Sequence, residues 1–285
     1  MSAVAAYFEL TKPRITVSAL LTAVFGYAVA AHPFHPLKLF HMTVGALLIG
    51  MGANALNEFF EKDADSRMKR TQNRPLPAGK IGGVQAFVFG ALLGTGGILY
   101  LSALVNPVSA AMGLLTFVSY VFLYTPMKEA TVFNTFVGAV PGALPPLIGW
   151  TAATGSVNAS GIILFLILFF WQLPHFFAIA WVYRDDYRAG GLRMLPAGDP
   201  TGAETSKRIL FYSAVLLLVS LLPVRADMAG VVYLGGALAA GIGLLYLSFR
   251  LMRNWTAKAA RGFVFASIAY LFIIMIFMVA DRGVS

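Results

Sequence analysis

The stretch Ile162-Ile-Leu-Phe-Leu-Ile-Leu-Phe-Phe170 is apolar at every position. A strand of a membrane barrel would alternate apolar and polar side chains, so an uninterrupted run of this kind predicts a membrane helix. Similar runs recur along the 285 residues, of which 59% are hydrophobic and 12% are charged. A soluble domain has about 25% charged residues. The composition therefore excludes an ordinary soluble protein.

Nine apolar stretches are long enough to cross a bilayer, which takes about 20 residues per helix. The breaks between them leave no room for a soluble domain, so we expect one all-α membrane domain over residues 1–285. The two longest breaks, with the span ends that precede them, form two motif loops at residues 57–83 and 171–207. The predicted spans are Ile15–Ala31, Leu39–Phe59, Val84–Leu104, Pro107–Thr125, Thr131–Ala152, Ser160–Val182, Ile209–Val224, Met228–Phe249 and Gly262–Ala280.

The basic residues are distributed unevenly over the loops. If the nine spans alternate in direction, all of the 21 Lys and Arg except Lys38, Arg225 and Arg282 fall on one side. By the positive-inside rule this predicts a cytoplasmic N-terminus and an external C-terminus. The net charge of +9 is thereby assigned to membrane orientation rather than to nucleic-acid binding. No presequence rich in Arg and Ser precedes the first span, which favours a bacterial inner membrane.

Acidic residues concentrate in the two motif loops. In the first, Asn57, Glu61 and Asp65 have the spacing i, i+4, i+8, which places them on one face of a helix. Oxygen ligands at the point where a span leaves the membrane suit a hard cation such as Mg²⁺. The alternative is a solvated helix end, whose acids pair with Lys62 and Arg67. Cysteine is absent, which excludes disulfides and thiolate chemistry.

Cations follow these acids directly. Lys69, Arg70 and Arg74 come within the next nine residues, and Pro75 and Pro77 restrict the backbone behind them. Carboxylates that hold Mg²⁺ beside cations that neutralise phosphate oxygens are the arrangement that a diphosphate ester requires. The alternative for each single cation is an ordinary positive-inside residue.

The second motif loop begins with Trp171-Gln-Leu-Pro-His175. This histidine is the only one of four in the cytoplasmic half of a predicted span, and it is either a core residue or a substrate contact. Asp185 and Asp186 follow ten and eleven residues later, so they could face the first acidic cluster. Lys128, in the short loop after Tyr124, would add a further cation.

The fifth span contains helix-distorting residues. Pro141, Pro145 and Pro146 stand within it, and Gly138 and Gly142 form a small-xxx-small pair. Such a helix is expected to be kinked and closely approached by a neighbour.

Taken together, these segments resemble the UbiA-type intramembrane prenyltransferases, and the resemblance covers nearly the whole chain. Histidine stands in the second loop where relatives on quinone pathways usually have a motif aspartate, which points to the branch that modifies haem. The segments that carry the resemblance are Thr11-Lys-Pro-Arg14, Asn57–Asp65, Arg70-Thr-Gln-Asn-Arg-Pro-Leu-Pro77, Tyr124–Lys128, Gly142-Ala-Leu-Pro-Pro146 with Gly149-Trp150, and Trp171-Gln-Leu-Pro-His-Phe176.

The resemblance implies nine helices around a central cavity that the two motif loops cap on the cytoplasmic side. It implies Mg²⁺-dependent transfer of farnesyl from farnesyl diphosphate to a vinyl group of haem B, with water added, to give haem O. Haem B is then a substrate and not a cofactor. The implied partners are haem B, farnesyl diphosphate, membrane lipid and a downstream haem-modifying enzyme, with no nucleic acid.

The resemblance also implies roles for individual residues. Glu61 departs from the aspartate of many members and is one methylene longer, which affects its direct contact with a metal. The implied metal ligands are Asn57, Glu61, Asp65 and one or both of Asp185 and Asp186. The implied diphosphate-binding residues are Lys69, Arg70, Arg74, Lys128 and Tyr124. The implied haem contacts are His175 and Trp171, and the implied catalytic residues are Asn57, Glu61, Asp65, Asp186 and His175.

Two other functions remain open from the sequence. The first is the same transfer to an aromatic quinone precursor such as 4-hydroxybenzoate, which a second Asp-x-x-x-Asp motif would favour; Asp186 has no aspartate four residues away. The second is a membrane transporter, but transporters place ionisable groups near the membrane midplane, whereas here they crowd one interface. A purely structural subunit would not require the acidic face and the cations behind it.

Overall fold

The structure is a computed structural model that describes residues 2–282. Over these residues the chain is helical, apart from turns and an isolated bridge between Ala229 and Arg282. Nine segments of the described chain are long and apolar enough to cross a membrane. The predicted all-α architecture and the number of spans are therefore confirmed, and the chain is a multi-pass membrane protein.

Each predicted span overlaps one observed span. The ends differ because hydropathy marks where the apolar region begins, whereas a helix can start in a polar first turn, as it does at Ala203 rather than Ile209. The spans are α2, α3, α5, α6 with α7, α8 with α9, α10, α12 with α13, α14 and α15. The helices are α1 Ala3–Leu10, α2 Pro13–Ala30, α3 Pro36–Phe60, α4 Lys62–Arg67, α5 Gly83–Leu104, α6 Pro107–Val118, α7 Thr125–Ala130, α8 Asn134–Ala143, α9 Pro145–Thr154, α10 Ala159–Val182, α11 Arg184–Ala189, α12 Ala203–Val219, α13 Leu222–Arg225, α14 Val231–Arg253 and α15 Ala257–Ala280.

Local sequence sets where several helices begin. Pro13, Pro36 and Pro107 stand in the first turns of α2, α3 and α6, where the missing backbone N–H would have no partner in any case. The Asn158 side chain caps α10 by accepting a hydrogen bond from the Gly161 backbone N–H. These signals are local, and they fix helix starts without help from tertiary packing.

Contacts within the chain divide it into two compact units. Unit 1 comprises Met1–Val157 and Asp185–Arg193, and unit 2 comprises Asn158–Arg184 and Met194–Ser285. In unit 1, α3 packs mainly on α5, and α2 packs on α9. In unit 2, α10 packs on α12 and α15, and α14 packs on the same two helices. The single domain and the central cavity expected above remain predictions.

Glycines bring α3 and α5 into close contact. A Cβ at Gly52 would collide with the backbone of Gly94, and a Cβ at Gly97 would lie 2.8 Å from the Gly45 carbonyl oxygen and 2.9 Å from the Ile49 nitrogen. In lipid no hydrophobic force holds helices together, so close packing of small residues supplies the attraction instead.

The fifth span is interrupted, as its prolines predicted. Helix α8 ends at Ala143 and α9 begins at Pro145, with Pro141 inside α8. A Cβ at Gly149 would meet the carbonyl oxygen of Ala23, so α9 lies directly against α2. About two thirds of this span (67%) is buried, more than of any other span in the described chain. The expected kink and close approach are confirmed.

Adjacent glycines on α5 test this packing. Gly97→Ala would place a methyl group against α3, so we expect it to lower the midpoint of thermal unfolding in detergent by several degrees. Gly96→Ala is the matched control, since a Cβ at Gly96 meets nothing within 4 Å. It should leave the midpoint unchanged or raise it, because alanine is the better helix former by up to about 1 kcal/mol. Equal midpoints for the two variants would contradict the close α3–α5 contact.

Candidate active site

Six charged side chains gather in unit 1 where α3 leaves its span. Three are carboxylates and three are cations, so their formal charges balance. The carboxylates are deeply buried, with exposed fractions of 1% for Glu58, 6% for Glu61 and 0% for Asp65. We call this group the charge cluster; its members are Lys12, Glu58, Glu61, Asp65, Arg74 and Lys128.

Two ion pairs form the centre of the charge cluster. Arg74 Nη1 lies 2.6 Å from Asp65 Oδ2, and Lys128 Nζ lies 2.5 Å from Glu61 Oε1. The Lys128 ammonium also stands 4.5 Å from the centroid of the Tyr124 ring. Because buried charges are expensive unless they are paired, each partner here depends on the other. The structure thus brings together Glu61, Asp65, Arg74, Lys128 and Tyr124 as the sequence suggested.

The first acidic motif does not lie on one continuous helix. Helix α3 ends at Phe60 and α4 begins at Lys62, with Glu61 at the junction. The expectation of a single helix is wrong in this respect. The hydrogen bonds nevertheless continue across the junction, from Glu61 N to the Asn57 carbonyl at 3.0 Å and from Asp65 N to the Glu61 carbonyl at 2.8 Å. The i, i+4, i+8 relation therefore survives the break.

Sequence reasoning missed Lys12. Its Nζ lies 2.5 Å from Asn57 Oδ1, and the Asn57 amide donates in turn to Thr125 Oγ1 at 2.9 Å. The backbone of Lys12 has a φ of 47°, a conformation that a non-glycine residue adopts only under constraint. Burial and the nearby Arg74 guanidinium lower the pKa of Lys12 to about 8. The Lys-Pro pair at the start of the first span was the available signal.

The two ion pairs shift the pKa values of their members. Burial alone would raise the pKa of Glu61, but Lys128 and Lys12 hold it below its ordinary value. Burial likewise opposes the charge on Arg74, yet Asp65 raises the pKa of that guanidinium above its ordinary value. Both groups are therefore ionised at neutral pH, in a place where water cannot stabilise them.

Two carboxylate oxygens in the charge cluster have neither a hydrogen-bond donor nor an ion-pair partner within the described chain. Asp65 Oδ1 and Glu58 Oε2 are buried without a hydrogen-bond partner among residues 2–282, while the other Glu58 oxygen accepts from Leu76 N at 3.4 Å. Mg²⁺ is commonly held by one or two carboxylates, with phosphates and water completing its shell. No three Asp, Glu or His side chains of the described chain lie close enough to hold a metal by themselves. The open oxygens thus fit Mg²⁺ that arrives with a phosphate ester.

The second motif loop contacts the first through Asp186. Its Oδ1 accepts a hydrogen bond from the Lys69 backbone N–H at 3.1 Å, and the Arg70 guanidinium stands 4.7 Å from the Tyr187 ring centroid. The side chains of Lys69 and Arg70 are exposed, in contrast to those of Arg74 and Lys128.

Asp185 points to solvent. Its side chain is 77% exposed and lies 3.5 Å from Arg188 Nη1. Asp186 is engaged with the first loop as described, and no group of three acids or histidines forms among residues 2–282. Asp186 thus contacts the first loop and Asp185 lies at the surface, and the assignment of one or both of them to a metal site stays a prediction.

Residues 185–193 belong to unit 1 and contact its other segments at Gly190 and Arg193. Arg67 Nη2 donates to the Gly190 carbonyl at 2.8 Å, and Arg193 N donates to the Lys128 carbonyl at 2.7 Å. The Asn134 amide donates to the Arg193 carbonyl at 2.8 Å. Sequence reasoning did not single out Arg67 or Asn134 for this purpose, since the contacts join residues more than 50 positions apart.

Trp171 and His175 lie together in unit 2. Their rings stack at a centroid distance of 4.8 Å and an angle of 21°, as expected for residues one turn apart on α10. His175 Nδ1 is 2.7 Å from Ser267 Oγ, and Trp171 Nε1 donates to the Ser267 carbonyl at 2.6 Å. His175 is 7% exposed. Sequence reasoning missed Ser267, which stands on α15.

The part of the chain that the structure describes thus combines nine apolar helices with a buried cluster of three carboxylates and three cations. The model of the UbiA prenyltransferase family matches residues 19–275, and the chain belongs to this family. The resemblance stated from the motifs is thereby confirmed.

The chain is also similar to individual proteins with a named activity. The chain is 42% identical to the protoheme IX farnesyltransferase of Solibacter usitatus (strain Ellin6076), over 97% of this chain and 98% of the relative. It is 43% identical to the protoheme IX farnesyltransferase of Opitutus terrae (strain DSM 11246 / JCM 15787 / PB90-1), over 97% of this chain and 94% of the relative.

Solved structures share the fold. A digeranylgeranylglyceryl phosphate synthase superposes with a TM-score of 0.82 at 19% identity, covering 99% of both chains. A UbiA homologue from Archaeoglobus fulgidus, bound to GPP and Mg²⁺, gives a TM-score of 0.70 at 13% identity and covers 96% of this chain and 99% of its own. At these identities the likeness establishes the fold.

A double-mutant cycle tests the pairing of Glu61 with Lys128. Glu61→Gln leaves a buried ammonium without its partner, so we expect the free energy of unfolding to fall by about 3 kcal/mol. Combining it with Lys128→Met removes the unpaired charge and should recover more than half of that loss. Thermal and denaturant unfolding in detergent measure all four proteins. Strictly additive effects would show that the two side chains do not depend on each other.

Neighbouring aspartates test the loop contact. Asp186→Ala removes the acceptor for Lys69 N, so trypsin should cleave after Arg193 several-fold faster than in the unmodified protein. Asp185→Ala is the matched control and should leave the rate at Arg193 nearly unchanged, because its side chain is mostly in solvent and contacts Arg188 instead. Mass spectrometry of the fragments follows the Arg193 site. Identical cleavage of the two variants would contradict the role of Asp186 in holding the loop.

Proposed function

We propose that this chain transfers the farnesyl group of farnesyl diphosphate to a vinyl group of haem B, and that water adds to give haem O. The observation that carries this proposal is the open carboxylate oxygen of Asp65 beside Arg74, inside a buried charge cluster. The acceptor follows from relatives at 42% and 43% identity, which are protoheme IX farnesyltransferases.

The cations of the charge cluster would bind the diphosphate. In the free protein Arg74 and Lys128 are paired with carboxylates, and Lys12 with Asn57. A diphosphate with its metal brings both an anion for the cations and a cation for the carboxylates. Partners are then exchanged without leaving a buried charge uncompensated. The exposed Lys69 and Arg70 would attract the anion toward this loop.

Mg²⁺ would be held by the first motif. Asp65 offers Oδ1, Glu58 offers Oε2, and Asn57 and Glu61 become available once Lys12 and Lys128 turn to the phosphates. The metal supplies charge neutralisation at the departing diphosphate. We assign Asp186 to holding the second loop in place rather than to the metal.

In the transfer, the bond between farnesyl C1 and the diphosphate oxygen breaks, and its electron pair leaves with the diphosphate. Lys12, Arg74 and Lys128 stabilise the charge that develops there. The terminal vinyl carbon of the porphyrin then forms a bond to C1, and the cation left beside the ring takes up water and releases a proton. The apolar side chains of the spans exclude water until the first bond has formed. Trp171 and His175 would contact the haem.

The proposed location is the bacterial inner membrane. The uneven distribution of Lys and Arg supports an orientation with the N-terminus and both motif loops in the cytoplasm and the C-terminus outside. A soluble diphosphate would thus meet the charge cluster from the cytoplasm, while haem B and the product stay in the membrane for a downstream haem-modifying enzyme.

The direct test is a product assay on the purified protein in detergent with haem B, farnesyl diphosphate and Mg²⁺, read by mass spectrometry. We expect a porphyrin heavier by one farnesyl group and one water, lost when the metal is chelated. Asp65→Asn should lower kcat/KM by about 100-fold or more, since it removes an ionised oxygen at the reacting diphosphate. Asp63→Asn, an exposed acid on the same short helix, is the matched control. If the protein prenylates 4-hydroxybenzoate and not haem B, haem is refuted as the acceptor and the prenyltransferase activity stands. If neither acceptor is modified, the proposed transfer itself is refuted.

Lys12 offers a second test. Lys12→Gln keeps a donor for Asn57 but removes the charge, so we expect KM for farnesyl diphosphate to rise about tenfold or more, whereas Lys12→Arg should retain most of the affinity. Lys80→Gln, which removes an exposed cation of the first motif loop, serves as control. Unchanged KM in Lys12→Gln would show that Lys12 does not contact the diphosphate.

A further inference from the structure

Ser267 holds both aromatic residues of the Trp-Gln-Leu-Pro-His segment. Its carbonyl accepts the Trp171 indole N–H at 2.6 Å, and its hydroxyl lies 2.7 Å from His175 Nδ1. The serine is fully buried at 0% exposure, and α10 and α15 pack against each other at this point. Two side chains of one helix are thus oriented by a single residue of another.

The Ser267 hydroxyl lies between two partners, the Val264 carbonyl oxygen at 2.7 Å and His175 Nδ1 at 2.7 Å. A carbonyl oxygen can only accept, so when the single hydroxyl hydrogen points to Val264, the hydroxyl oxygen accepts the proton of Nδ1. We assign this tautomer to His175, and it leaves the lone pair of the neutral ring on Nε2. No described residue forms a hydrogen bond with Nε2.

The surroundings of His175 favour a neutral electron-pair donor over a base. Its ring is stacked on Trp171 and hydrogen-bonded to an uncharged hydroxyl, and only 7% of the residue is exposed to solvent. No carboxylate among residues 2–282 forms a hydrogen bond with Nδ1 that would stabilise an imidazolium, and a buried charge without a partner is costly. A metal ion accepts the Nε2 lone pair without adding a proton to the ring. Histidines that bind metals in this way usually donate their other N–H to a fixed acceptor.

We propose that His175 ligates the iron of the porphyrin acceptor through Nε2, and that Ser267 is the positioning residue that fixes the ring and its tautomer. The inference rests on the proposed function, because the acceptor there is an iron porphyrin. It adds that the protein recognises the acceptor by its metal, and that Trp171 restrains the imidazole plane by stacking. Ligation forms one coordinate bond and requires no redox partner.

Haem binding to the full chain in detergent tests the ligand. We expect the unmodified protein to bind ferric haem B with the absorption and EPR features of histidine ligation, and to bind metal-free protoporphyrin IX at least tenfold more weakly. His175→Ala should lose the histidine features and the preference for iron, and added imidazole should restore the features. His41→Ala is the matched control, since His41 is bonded to Tyr100 in unit 1. Unaltered spectra in His175→Ala would overturn the proposal.

Variants of Ser267 separate positioning from simple packing. Ser267→Ala leaves Nδ1–H without its acceptor, so we expect haem affinity to fall about tenfold and the iron–histidine stretching frequency of the ferrous protein to shift. Ser267→Thr keeps the hydroxyl and should keep both values. Ser248→Ala removes another buried hydroxyl of unit 2, one that bonds only within its own helix, and should change neither. A Ser267→Ala protein with unchanged affinity and frequency would overturn the positioning role.

The two proposals fail in different ways. If the protein forms the farnesylated product but its haem spectra do not depend on His175, the transferase function stands and iron ligation is refuted. If haem is ligated by His175 but no product forms with farnesyl diphosphate and Mg²⁺, ligation stands and the transfer is refuted. Retained folding of every variant, shown by its elution in size-exclusion chromatography, makes each spectrum interpretable.

Discussion

Mutual neutralisation of buried charges is the constraint on which the rest of unit 1 depends. Three carboxylates lie almost fully removed from solvent at the end of a membrane helix, and only nearby cations make this tolerable. Arg74 reaches Asp65 from the loop behind it, and Lys128 reaches Glu61 from a different span. The surrounding segments must therefore hold their positions for the charges to balance. The same balance leaves the site ready to exchange its partners for a metal and a diphosphate.

The polar residues of unit 2 are stabilised in a different way. Its polar residues at the Trp-Gln-Leu-Pro-His segment are neutral, and they are satisfied by one serine on α15. A neutral, oriented imidazole suits the binding of a metal in an apolar acceptor, whereas the charge cluster of unit 1 suits an anionic donor. This difference between the two units matches the two proposed substrates: farnesyl diphosphate is soluble and charged, whereas haem B is flat and apolar.

Much of the site could be predicted because its members are close in sequence. Asn57, Glu61 and Asp65 were recognised from helical spacing, and Arg74 from its place behind them. The missed residues have no such neighbours: Lys12 meets Asn57 across 45 positions, and Ser267 meets His175 across 92. In the second motif loop the sequence offers two equivalent choices. Asp185 and Asp186 are adjacent and alike, and only the contact with Lys69 distinguishes them.

By itself, the sequence determined the helical class, the nine spans and the proline break in the fifth, together with the expected orientation in the membrane. Each of these depends on the composition of a short segment or on a local backbone restriction, so no distant partner is required. Tertiary structure decided which cation neutralises which acid, which carboxylate oxygens stay open, and which serine holds the His175 ring. Those outcomes depend on distances of a few ångströms between residues far apart in the chain, and hydropathy and spacing contain no information about such distances.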